Sequence, residues 1–169
     1  CLIAHNDIEK TASAVKNFCV KTGLKAYNNK SHEGFFRHLV LRKGINTGDL
    51  SVNIVTNKTE TIKNDFWHEL VEELKNSVSS IYWTHNSKFS DAVNSEISSL
   101  LYGSENITDS LTVYDKTIKY SIAPFSFFQT NTKAAEILYG AVIKSLAPQK
   151  TDEVLDMYCG TGAIGLCIA

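Results

Sequence analysis

The sequence predicts a mixed α/β fold, in which an α+β region is followed by the opening of an α/β unit. Three features predict it. Helical and alternating apolar spacings interleave as helix, strand, strand, helix, strand through the first half; a long helical pattern runs from Asn131 to Leu146; and a short apolar run from Glu153 leads into closely spaced glycines. The 169 residues, 43% hydrophobic and 21% charged, supply apolar material for one or two small cores. Uninterrupted apolar runs last a few residues, far below the ~20 that a membrane-spanning helix needs. The first ten residues carry Asp7 and Glu9 and lack the basic start and apolar core of a signal peptide. A cytoplasmic setting with no membrane partner is therefore expected.

Between Asp7 and Lys21 the residues Ile8, Ala12, Val15, Phe18 and Cys19 recur at helical spacing, with Asn6 or Asp7 expected as the cap and Gly23 as the stop. Phe35 to Arg42 alternates and is rich in β-formers. A turn over Gly44 to Asp49 follows, and Leu50 to Thr56 alternates again, which is the pattern of a hairpin whose first strand carries the cations. Asp65 to Val78 places Phe66, Leu70, Val71 and Leu74 on one helical face, and Ser80 to His85 reads as a strand. Asn86 to Asp109 is polar and reads as an irregular excursion with one short amphipathic piece around Val93 to Leu101. Leu111 to Ile122 offers two short alternating runs around an Asp115-Lys116 turn, closed by Pro124. The helix over Asn131 to Leu146 is carried by Ala135, Leu138, Tyr139, Val142 and Ile143 and stopped by Pro148; Glu153 to Tyr158 is expected to be a buried strand. The change of character near Ala123 sets the expected domains, residues 1–122 and 123–169.

The formal net charge is −1, but eight basic and three acidic residues precede Asp49, so the first part is +5 and the rest −6. That permits a polyanion contact near the N-terminus without the strongly basic balance of a protein that binds nucleic acid by charge alone. Cys1, Cys19, Cys159 and Cys167 are scattered, with neither a C-x-x-C pair nor paired histidines, so neither a disulfide scaffold nor a self-contained zinc site is indicated.

The most informative stretch is Glu153-Val-Leu-Asp-Met-Tyr-Cys-Gly-Thr-Gly-Ala-Ile-Gly-Leu, a strand run passing through Asp156 into Gly160-x-Gly162-x-x-Gly165 and an apolar helix start. Glycines there allow a sharp reversal and let a ligand lie against bare backbone, as in Rossmann-like folds. The spacing alone fits a dinucleotide, S-adenosylmethionine or a structural turn. Asp156 favours the second, because a carboxylate at the strand end repels a pyrophosphate and suits an ammonium and a sulfonium. A second stretch, Ala123-Pro-Phe-Ser-Phe-Phe-Gln-Thr-Asn-Thr, precedes the long helix and taken alone could seal a domain junction and cap that helix.

Together, Phe127-Phe128-Gln129-Thr130-Asn131, then Leu138-Tyr139, then Val154-Leu155-Asp156-Met157-Tyr158-Cys159-Gly160-Thr161-Gly162 resemble the RNA (uracil-5-)-methyltransferase family, which modifies uridines in ribosomal and transfer RNA. The resemblance is strong over Tyr120 to Ala169 and looser over Gly34 to Thr56, where Arg37-His-Leu-Val-Leu-Arg42 and Thr47-Gly48-Asp49 look like the family's central, RNA-facing domain. It implies that Gln129 and Tyr158 contact S-adenosylmethionine, with Asp156, Gly160 and Gly162 forming the pocket floor. It also implies an RNA substrate, with 23S ribosomal RNA expected, and RNA phosphate contact for Arg37 or Arg42.

In the family a cysteine thiolate adds to carbon 6 of a flipped-out uracil, carbon 5 takes the methyl group, and a base removes the carbon-5 proton. No residue of this chain matches either catalytic group. Both are expected beyond residue 169, so the chain is expected to be an internal fragment, inactive alone and weak in cofactor binding. The resemblance further places Cys1 where the isolated fourth ligand of a 4Fe-4S cluster stands in many members. A monomer is expected.

Overall fold

The computed structural model describes residues 3–57, 62, 65–89 and 97–169. In chain order these form α1 (Asn6–Thr22), β1 (Phe36–Lys43), β2 (Leu50–Thr56), α2 (His68–Leu74), β3 (Ser80–His85), β4 (Ile97–Gly103), β5 (Ile107–Val113), β6 (Lys116–Ile122), α3 (Thr132–Leu146) and α4 (Ala163–Ile168). They make a mixed α/β protein of two compact units. The first comprises the chain up to Lys43 together with Asp49–Ile107; the second comprises Gly44–Gly48 and Thr108–Ala169. The sequence handover near Ala123 falls inside the second unit.

The first unit is a four-stranded sheet in the order β1-β2-β3-β4. β1 and β2 are antiparallel, β2 and β3 are parallel with α2 in the connection between them, and β4 returns antiparallel to β3. β2 is central and every one of its residues is buried, although its sequence alternates: the apolar residues Leu50, Val52 and Ile54 cover one face and the buried polar residues Ser51 and Asn53 lie on the other. Leu50, Val52 and Ile54 on one face, with Ile81 of β3, pack against Val15 and Phe18 of α1 and Trp67, Leu70 and Leu74 of α2. The other face buries hydroxyls that satisfy one another: Ser80 Oγ donates to Ser51 Oγ at 3.0 Å and Thr84 Oγ1 to Asn53 Oδ1 at 2.8 Å.

Three sequence expectations are corrected. The residue capping α1 is His5, with no side-chain cap bond; Asp7 lies in the first turn, where its carboxylate pairs with Lys43 and takes the Ile8 N–H, so it is not free to cap. The polar excursion contains β4, an edge strand whose outward residues Ser98 and Leu100 are exposed and whose pairing is made by backbone, so it carries little side-chain signal. The earlier part of the expected amphipathic piece, Val93 to Glu96, lies outside the described residues. Finally, Glu153 to Tyr158 forms no strand: residues 153–156 have no regular structure and Met157-Tyr158 already turn. Among the described residues no strand lies beside it, and Leu155 and Met157 are 83% and 73% exposed, so its ladder groups and apolar faces have nothing to pair with.

The second unit pairs β5 with β6 through a two-residue turn at Tyr114-Asp115 and sets α3 and α4 beside them. Its most buried charge is Asp109, 1% exposed. Asp109 accepts the Ile45 and Asn46 N–H groups at 3.1 and 2.9 Å, the Ser110 N–H at 2.9 Å and the Thr132 hydroxyl at 2.9 Å. Glu136 Oε1 adds to the same region, accepting from Asn46 Nδ2 and from the Thr112 N–H, each at 2.9 Å. Burial opposes ionisation of Glu136, but these donors and Lys133 outweigh it and hold its carboxyl below the usual range.

Candidate cofactor site

The site is assembled from three segments of the second unit. After β6, Pro124 ends the strand and the chain runs through Phe128 and Gln129 to Asn131, whose Oδ1 accepts the Ala134 N–H at 3.0 Å and caps α3. That helix turns Ala135 and Tyr139 inward and leaves Leu138 exposed. Phe128 is buried, 5.3 Å from the ring of Tyr120, and the Tyr120 hydroxyl donates to Ala163 O at 3.3 Å beside the Cys167 sulfur.

Gln129 hydrogen-bonds Tyr139, on the inward face of α3. Burial pushes the Tyr139 hydroxyl above its ordinary value, a hydrogen bond with Gln129 opposes this, and the neighbouring Cys167 and Asp156 add to the rise. Tyr120, also buried and facing Cys167, is pushed up for the same reason. The sequence offers Tyr139 as a helix residue and as part of the Leu138-Tyr139 pair of the resemblance; its inward position follows from the helical periodicity, but its contact with Gln129 does not.

Asp156 lies at the foot of the glycine turn. Its Oδ2 accepts the Gly165 N–H at 3.3 Å, and a Cβ on Gly165 would meet that oxygen at 3.4 Å, so the third glycine keeps α4 close to the carboxylate. Between them the backbone turns left-handed three times, at Tyr158 (φ 66°), Gly160 (φ 56°) and Gly162 (φ 71°). The two glycines adopt this without cost, whereas at Tyr158 it is strained. Around Gly160 and Gly162 an added Cβ would meet nothing closer than 3.9 Å, so the bend is an open cradle. Tyr158 carries its ring wholly into solvent, 101% exposed. The structure thus joins Gln129 to Tyr139 and Asp156 to Gly165, sets Gly160 and Gly162 in the open bend, and leaves the Tyr158 ring in solvent. A carboxylate, an amide and bare backbone N–H groups fit the ammonium, carboxylate and sulfonium of S-adenosylmethionine.

Elsewhere, Arg37 sits at a β-bulge in β1, so simple alternation does not place it; its Nη1 donates to the carbonyls of Asn86 and Lys88 at 2.6 and 2.7 Å. Arg42 lies further along β1, half-buried, and burial lowers its pKa. Cys1 lies outside the described residues. Among the described residues no group of three or more His, Cys, Asp or Glu is placed to hold a metal ion. No helix among them is long and apolar enough to cross a membrane.

The cysteines differ in a way that labelling reads directly. Cys159 is exposed in the bend, Cys167 is buried, and burial raises the Cys19 thiol to about 11. At pH 8 only about one Cys19 in a thousand is then a thiolate. Iodoacetamide at pH 8 followed by peptide mass spectrometry is expected to modify Cys159 well before Cys19 or Cys167.

A carboxylate ahead of an open glycine bend, and a short helix beside a capped long helix, are parts of an α/β methyltransferase fold. The chain belongs to the tRNA (uracil-5-)-methyltransferase family, whose model matches residues 18–169. It is 36% identical over 174 residues to an uncharacterized RNA methyltransferase of Caldanaerobacter subterraneus, covering all of this chain and 37% of that protein. It is equally 36% identical over 171 residues to one of Clostridium tetani, again covering all of this chain and 37% of the relative. Among solved structures, the Pyrococcus abyssi tRNA (uracil-54, C5)-methyltransferase in complex with S-adenosyl-L-homocysteine matches 93% of this chain and 36% of its own, with 31% identity and a TM-score of 0.71. The chain spans little more than a third of the length of these relatives.

Proposed function

We propose that the full protein transfers a methyl group from S-adenosylmethionine to carbon 5 of a uridine in RNA, and that 23S ribosomal RNA is its substrate. The observation that supports the reading is the carboxylate of Asp156, bonded to the Gly165 N–H, next to the open bend at Gly160 and Gly162. In this reading the cofactor supplies an electrophilic methyl group. Asp156 neutralises its positive end, the bare backbone of the bend admits its body, and Gln129, held by Tyr139, orients its methionine portion. Tyr158 would reach it by turning its exposed ring onto the bend. The nucleophile and the base belong to residues other than those of this chain, which alone is inactive. Residues 1–122 form the RNA-facing region, with Arg37 and Arg42 as phosphate contacts, and 123–169 open the cofactor domain, whose further strands would cover Leu155 and Met157. The protein works as a cytoplasmic monomer.

A second reading, transfer RNA as substrate, is favoured by the solved relative, which acts on tRNA. The test is incubation of the full-length protein with methyl-labelled S-adenosylmethionine and transcripts of each RNA, followed by nucleoside mass spectrometry. Labelled 5-methyluridine in 23S RNA is expected. Label in transfer RNA alone moves the assignment to the second reading, and 5-methyluridine in neither removes both.

A further inference from the structure

The first unit carries a row of planar side chains that the cofactor chemistry does not use. Phe89 is 77% exposed, and its ring lies 4.5 Å from that of His32. His32 in turn lies 6.3 Å from Tyr27, whose hydroxyl shares a 3.1 Å hydrogen bond with His32 Nδ1. The guanidinium of Arg37 stands 4.3 Å over the Tyr27 ring.

This row is built into the backbone. His32 is held at φ 59°, in the left-handed region that few residues with side chains adopt, and its N–H is tied to Asn28 O at 2.8 Å. Asn28 Oδ1 also takes the Lys30 and Ser31 N–H groups, and single bridges join Ala26 to Phe36 and Asn28 to Glu33. Gly34 closes the loop at φ 113°, where a Cβ would fall 2.2 Å from Ala26 O. The Arg37 bonds to the Asn86 and Lys88 carbonyls fix the segment that delivers Phe89 to His32. Around the row, residues 25–37 and 85–89 hold Lys25, Lys30, Arg37 and Lys88 against the single carboxylate of Glu33.

We propose that the exposed rings of Phe89 and His32, tilted 57° to one another and with His32 braced by Tyr27, form a stacking site for an unpaired RNA nucleotide, with the surrounding cations holding its phosphates. The inference rests on the reading that the protein acts on RNA and adds a site separate from the methyl-transfer centre. The chemistry selects this occupant. The exposed surface is aromatic rather than aliphatic, so it offers π-faces to a base; the local charge is positive, so it attracts a polyanion; and a paired base has no free face to offer.

The test uses the full-length protein with two probes, a single-stranded RNA of ~10 nucleotides carrying 2-aminopurine and a fully paired RNA of the same length. Phe89→Ala and His32→Asn, the latter chosen because asparagine tolerates the left-handed backbone, are each expected to weaken single-strand binding roughly 5- to 50-fold and to reduce 2-aminopurine quenching. Phe89→Trp is expected to retain both, and the paired probe to change little with any variant. S-adenosylmethionine titration and thermal melting at wild-type values show that the variants are folded. Folded variants that bind the single strand as wild type does, or a Phe89→Leu variant that quenches fully, would overturn the stacking site while leaving methyl transfer by the wild type intact. A wild-type protein that binds no RNA while methylating another substrate would overturn the functional reading itself.

Discussion

Asp156→Asn in the full-length protein is expected to weaken S-adenosylmethionine binding by roughly 30-fold while leaving the fold unchanged. Asparagine keeps the length of the side chain and a carbonyl oxygen able to take the Gly165 N–H that Asp156 Oδ2 now accepts at 3.3 Å, so α4 stays seated. What disappears is the negative charge facing the cationic end of the cofactor. Hydrogen bonds to charged groups contribute about 1.5–3 kcal/mol against about 1 kcal/mol for neutral ones, a difference of about 0.5–2 kcal/mol to which the lost charge–charge attraction adds; about 2 kcal/mol in all corresponds to the stated factor. Asp156→Ala also removes the acceptor for Gly165, so its loss is expected to be larger and accompanied by a lower melting temperature. Isothermal titration of the two variants separates charge from scaffolding. Equal affinity for wild type and Asp156→Asn, or preferential binding of a nicotinamide dinucleotide, would show that the carboxylate has no role in holding a sulfonium donor.

The largest stability effect is expected at Asp109. It is 1% exposed, and its two oxygens serve the backbone N–H groups of Ile45, Asn46 and Ser110 and the hydroxyl of Thr132. Asp109→Ala leaves these donors in a water-poor setting at about 1–3 kcal/mol for each that finds no substitute, so a total loss of about 3–5 kcal/mol is expected after partial relaxation. Asp109→Asn keeps one acceptor oxygen but turns an amide toward donors, and is expected to fall between. Urea unfolding of the full-length protein measures both. Because Thr132 lies three residues after Gln129, the alanine variant is also expected to bind S-adenosylmethionine less tightly. A variant that loses less than about 1 kcal/mol would mean that water replaces the carboxylate without penalty.

Elements with a one-sided apolar pattern were legible in the sequence. Val15 and Phe18 placed α1, Leu50 to Thr56 placed β2, and Ala135 and Tyr139 placed α3, because burial is what those spacings record. β4 was not legible: an edge strand with exposed Ser98 and Leu100 is specified by the backbone groups of β3, which no local pattern reveals. Glu153 to Tyr158 failed in the opposite direction, since its apolar residues describe a strand that only lateral neighbours can form. The left-handed bend at Gly160 and Gly162 could be read, because turn geometry leaves a local mark in the glycine spacing. Asp109 could not, as its importance comes from donors 63 and 64 positions earlier in the chain.

That separation bears on how the protein is made. The bend at Gly44–Gly48 belongs to the unit that otherwise begins at Thr108, so it leaves the ribosome long before the carboxylate that will anchor it exists. Until Asp109 emerges, Ile45 and Asn46 can exchange their amide hydrogens with water, and pulse-labelled nascent chains should show those two protected late, after the flanking strands have paired. For the same reason no single cut in the gene separates the two units cleanly: a piece starting at Thr108 is born without the loop that neutralises its deepest charge.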